Sequence, residues 1–96
     1  MPLFVLTCLD RPNSAELRNA NRQRHLAYLE PMRGSAIKLA GPLLGDADEM
    51  IGSLMIVEMA DKAAVEAFSA ADPYRQADLF QSVDIRGLRT TFFDKP

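Results

Sequence analysis

A chain of 96 residues, 48% hydrophobic and 25% charged, carries enough apolar material for one packed core and no low-complexity tract that would argue for disorder. Thirteen acidic against 11 basic side chains leave a net charge of −2, which gives no long-range pull toward nucleic acid or anionic lipid. A single cysteine, Cys8, and a single histidine, His25, offer neither an internal disulfide nor a cluster of zinc ligands, and no apolar run approaches the ~20 residues that cross a bilayer; the expectation is a cytoplasmic domain without a structural metal.

Residues Leu3 to Asp10 are almost wholly apolar and end at the turn signal Arg11-Pro12-Asn13, which predicts a central strand. Asn13 and Glu16 have the spacing of a capping box, in which each side chain satisfies an unpaired backbone N–H at a helix start. The helix then runs to about Glu30, with Pro31 or Gly34 closing it. Laid out at about 100° per residue, Leu17, Asn21, Tyr28 and Met32 form one stripe, with His25 near its middle and Leu29 at its margin. Arg18, Arg22 and Leu26 turn progressively toward the edge and outer surface.

Ser35 to Ala40 reads as a short strand broken by Gly41-Pro42, and Leu43 to Met50 as a hairpin loop rich in acids. Ile51 to Met59 is a second long apolar strand. Asp61 is placed to cap a helix in which Ala64, Phe68 and Ala71 share a face. Asp72-Pro73 stops that helix, Tyr74 to Phe80 is short and irregular or helical, and Val83 to Phe93 alternates as a last strand. No linker or internal repeat interrupts residues 1–96, which read as one domain. The order β-α-β-β-α-β predicts an α+β, ferredoxin-like fold, an antiparallel sheet with both helices on one face. The other face then needs a cover, and a second copy of the chain, as a homodimer, is the simplest one.

An imidazole among apolar side chains needs a partner, because an unmet buried polar group costs about 1–3 kcal/mol. Asp72 can supply one from the end of the second helix, fixing the tautomer and stabilising the charged ring as a general base requires. The alternative is a hydrogen-bonded core histidine, with Asp72 a turn or cap residue. Ser53, after Gly52 in a strand, either bonds a ligand or His25, or eases helix packing. Arg22, one turn before His25, either holds an anionic substrate group, stands solvated, or pairs with an acid such as Asp10. Tyr74 either closes a pocket with its ring or packs under the second helix, and Gly41-Pro42 shapes the strand end or lines the cleft. Cys8 reads as a small buried hydrophobe, and no phosphate loop, nucleotide fingerprint or flavin signature predicts a cofactor.

The series Arg22-x-x-His25-Leu26-x-x-Leu29, Gly41-Pro42-Leu43, Gly52-Ser53 and Asp72-Pro73-Tyr74 resembles the YCII-related (YciI-like) domain family across nearly the whole chain. The resemblance implies a ferredoxin-like fold of the dimeric α-β barrel group and an active-site pair at His25 and Asp72. It also implies cofactor-free proton transfer of the lyase or isomerase type on a small organic molecule, as in a dehydrochlorinase relative that removes hydrogen chloride from a chlorinated hydroxyquinol. The chain departs from the family where Ala77 is followed by Asp78 instead of glycine, and its loop from Leu44 to Met50 is short. The rival expectation is a non-catalytic dimeric module that binds a small molecule or another protein, in which His25 and Asp72 tie the helices together.

Overall fold

The computed structural model describes residues 1–93, and its order of elements follows the pattern of apolar runs. Strand β1 (Leu3–Asp10) leads to helix α1 (Ala15–Leu29) and one 3-10 turn (Glu30–Met32). A hairpin of β2 (Ile37–Leu44) and β3 (Met50–Glu58) follows, then α2 (Lys62–Ala70), the single-turn helix α3 (Pro73–Gln76) and β4 (Phe80–Leu88). The sheet order is β2-β3-β1-β4, with every neighbouring pair antiparallel. This is the split βαβ arrangement of the ferredoxin-like fold, and the almost uniformly apolar β1 takes one of the two inner positions.

Alternation along the strands divides the sheet into two faces. Phe4, Leu6 and Cys8 of β1 and Met55 and Val57 of β3 turn toward the helices and are buried with Leu29, Val65, Phe68, Tyr74 and Leu79. Burial of this layer stabilises the domain by roughly 25 cal/mol for each Å² of apolar surface removed from water. The opposite face carries Leu3, Val5, Leu54 and Ile56, with Val5 opposed to Ile56 in the β1–β3 register, and Leu9 and Leu39 exposed on the same side. Among the described residues no helix is long and apolar enough to cross a membrane.

Several local expectations need correction. Asn13 lies at φ 59 and does not begin a capping box; Ser14 holds the N-cap position and makes no side-chain capping bond. The Asn13 backbone turns left-handed to leave the Arg11-Pro12 turn, a conformation asparagine tolerates better than most residues. Gly41-Pro42 does not break β2, which runs on to Leu44. An edge strand accepts a proline because one side of its ladder is unpaired. Asp61 caps α2 as expected, accepting from the Ala64 N–H at 2.9 Å. The buried face of α2 is Val65, Phe68 and Ser69, whereas Ala71 is exposed and already beyond the helix. Strand β4 ends at Leu88, whose partner Leu3 is the first residue of β1, so the sheet has no strand left to pair residues 89–93.

Candidate functional site

Helix α1 buries Arg18, Asn21, His25 and Leu29, a stripe at i, i+3, i+7 and i+11. Compared with the sequence-based placement the helix is rolled, so that Leu17 is 37% exposed and Arg18 only 6%. Arg18 therefore faces inward, contrary to the expectation. The reason is a buried acid: Asp10, at the end of β1, receives Arg18 Nε on Oδ2 at 2.7 Å and Nη2 on Oδ1 at 3.0 Å. A bulge that leaves Gln81 of β4 unpaired sits beside Asp10, where such irregularities commonly re-aim a side chain. Nη2 also donates to Ser53 Oγ at 2.8 Å. Burial pulls the Arg18 guanidinium down, and the hydrogen bond and charge of Asp10 more than offset this, leaving it above its ordinary value. Asp10 thus pairs with Arg18, not with Arg22.

His25 Nδ1 lies 2.8 Å from Asp72 Oδ1. The same oxygen accepts the Tyr74 backbone N–H at 2.9 Å, because Asp72 is the N-cap of α3 and Pro73 occupies the first helical position. Asp72 accepts at Oδ1, so Nδ1 carries the hydrogen and Nε2 is the acceptor nitrogen of the ring. The imidazole stacks on Tyr74, with ring centroids 3.9 Å apart and planes 15° from parallel. The Arg18 guanidinium carbon stands 4.7 Å from the centre of the Tyr74 ring. Burial pushes the Tyr74 phenol up, against the charges of Arg18 and Arg22.

A cavity of about 160 Å³ opens beside this group. Its lining includes His25, Arg22, Ser53, Tyr74, Gly41 and Pro42, so six positions singled out from the sequence share one hollow, and Arg18 joins them. Asp72 is not on the wall; it stands behind the imidazole. Arg22 is exposed at the mouth, where a broader groove of about 930 Å³ shares Arg18, Arg22 and Met50 with the cavity. Sequence reasoning missed Arg18 by treating a charged side chain on α1 as an outward one. The signal was its position two turns before His25, together with an acid ending the preceding strand.

Arg11 holds the far end of the α3 turn, donating through Nε to the Asp78 carbonyl and through Nη2 to its carboxylate. Asp78 adopts φ 60, a left-handed backbone that aspartate tolerates better than most residues with a side chain.

Fold and site together define a ferredoxin-like α+β domain in which α1 supplies Arg18, Arg22 and His25 to a small hollow, β3 supplies Ser53 and α3 supplies Tyr74. The chain belongs to the YCII-related domain family, whose domain matches residues 2–89. It is 30% identical over 97 residues to the protein YciI of Escherichia coli O6:H1, covering 94% of this chain and 99% of the relative. Among solved structures it is similar to the 5-chloro-2-hydroxyhydroquinone dehydrochlorinase of Burkholderia phenoliruptrix AC1100 in complex with 2,5-dihydroxybenzoquinone. That match has a TM-score of 0.84 and 36% identity, and covers 91% of this chain and 93% of that one. A protein of Bacteroides thetaiotaomicron VPI-5482, at a TM-score of 0.57 and 11% identity over 95% of this chain and 90% of that one, shares the fold alone.

Proposed function

We propose that this protein is a cofactor-independent enzyme of the lyase or isomerase type that moves a proton within a small hydroxylated ring compound. The observation that carries the reading is the imidazole held at Nδ1 by Asp72 while its ring lines a cavity with two arginines. A volume of about 160 Å³ is close to the ~150 Å³ that accommodates one benzene ring, which limits the reacting part to a single ring or its equivalent. The related dehydrochlorinase, at 36% identity, was solved with a ligand of that size class.

In this reading His25 Nε2 takes a proton from a substrate hydroxyl and returns one to a ring carbon, and Asp72 stabilises the intervening imidazolium. Where chlorine sits on that carbon, deprotonation of a second hydroxyl sends its electron pair through the ring. A carbonyl forms and chloride leaves with the C–Cl bonding pair, for a net loss of HCl. Arg18 spends Nε and Nη2 on Asp10 and Ser53, and in this reading its remaining nitrogen, Nη1, serves a developing oxyanion. Tyr74, Gly41 and Pro42 shape the wall, Ser53 fixes Arg18, and Arg22 meets anionic groups at the mouth. The protein acts as a homodimer through the apolar sheet face of Leu3, Val5, Leu54 and Ile56.

The test is chloride release from 5-chloro-2-hydroxyhydroquinone and a panel of related hydroxylated rings. His25→Gln and Asp72→Asn should each lose at least about 100-fold in turnover while remaining folded. Equal rates for wild type and His25→Gln would overturn the assignment. One observation favours the rival, non-catalytic binding module: Asp72 also caps α3. On that view both substitutions lower thermal stability and no member of the panel is turned over by any variant.

A further inference from the structure

The hollow beside His25 and the groove at the start of α1 share Arg18, Arg22 and Met50, so one opens into the other. The hollow, at about 160 Å³, is filled by a single ring of ~150 Å³, which leaves no space inside it for a further charged group. The groove, at about 930 Å³, has room for whatever such a ring carries.

The cations along this route are not equally occupied. Arg18 is matched by Asp10, and Arg11 by Asp78. Arg22 is exposed where hollow and groove meet, and it belongs to none of the ion pairs among the described residues. A guanidinium keeps its charge at every working pH and presents a planar fork of donors that fits a carboxylate bidentately. Arg22 stands one turn before His25 on α1, a spacing that puts Cβ atoms about 5–6 Å apart. A ring in contact with His25 therefore reaches Arg22 through a side arm of one or two methylenes.

Two features of the groove set the kind of arm. Met50 and Ile51, 47% and 39% exposed, offer its methylenes an apolar bank. Glu16 and Glu49, on the same walls, keep the groove from becoming strongly positive. That balance suits the single charge of a carboxylate and disfavours the nearly double charge of a phosphate.

We infer that the substrate is a hydroxylated ring bearing a carboxylate on a short aliphatic arm, with the ring beside His25 and the carboxylate held by Arg22 at the mouth of the groove. The inference rests on the ring chemistry proposed above, and its failure is separable from that of the chemistry because the readout is affinity. Calorimetric titrations under nitrogen compare hydroquinone, dihydroxyphenylacetate, the amide of that acid and the corresponding dihydroxybenzylphosphonate. The acid should bind about 10-fold more tightly than each of the other three. Arg22→Gln, at an exposed position, should bring the acid down to the level of its amide and leave hydroquinone unchanged, and Arg22→Lys should retain part of the preference. Equal affinities for acid and amide, or a preference that survives Arg22→Gln, overturn the carboxylate arm and leave the ring site standing. A phosphonate that binds as well as the acid, or better, overturns the choice of carboxylate. Binding of none of the four removes the ring reading together with the arm, whereas an Arg22-dependent preference without any turnover removes only the chemistry.

Discussion

Cys8 stands on β1 among buried apolar side chains and close enough to Asp72 to feel its charge. Burial first, and that carboxylate second, push its thiol from 9.0 up to about 12. The unfolded chain releases this proton near pH 9 and the folded chain holds it to about pH 12, so the folded state binds more protons across that window. Stability contributed by the protonated thiol is therefore complete below pH 9 and declines as the pH rises, by up to about 1.4 kcal/mol per unit. Urea titrations between pH 9 and 11 should show a shallower loss for Cys8→Ala than for the natural protein, and identical slopes would exclude the thiol as the cause. The Tyr28 and Tyr74 phenols, also raised chiefly by burial, add a decline above pH 10 that the substitution leaves in place. At this scale His25, Asp72, Ser53 and Tyr74 were legible as neighbours because an isolated imidazole demands a partner. Arg18 was not, since nothing in a helical wheel announces that a carboxylate waits beneath it.

Elements were read well where periodicity was strong, as in β1, α1 and β3, and less well where one residue type had two meanings. Proline at 42 signals a break in most contexts, but on an edge strand its missing N–H costs no ladder bond. Alternation carried the last strand to Phe93 because a sequence shows strand propensity and not whether a neighbour exists to pair with it. Gly52 was legible as a place of close approach: a Cβ added there would come under 3.0 Å from the Cys8 carbonyl oxygen, backbone against backbone. Gly52→Ala should force β1 and β3 apart beside Ser53, lowering stability by about 2 kcal/mol in thermal or chemical denaturation. The same shift should loosen Arg18, since Ser53 is one of its anchors. A variant as stable as the natural protein would show that the strands yield cheaply.

For the whole molecule, helices on one side of a four-stranded sheet leave Val5, Leu54 and Ile56 half-buried at best in a single chain. A domain of this size buries a modest fraction of its surface, and covering that face with a second copy adds apolar burial at about 25 cal/mol per Å². If the proposed homodimer forms through this face, Ile56→Arg should convert it to monomer in sedimentation velocity and lower its melting temperature; an unaltered sedimentation coefficient would place the contact elsewhere. A sheet face left bare of helices was legible from the order of elements, whereas the rolled setting of α1 was not, because it depends on which side chains coincide in space.

The proline that β2 tolerates also limits what can accumulate on that edge. An incoming backbone can run beside Ile37 to Gly41 and then meets a residue with no N–H to offer. Ribbon-like growth from molecule to molecule is halted there, so the exposed border favours a finite, closed assembly over a fibre.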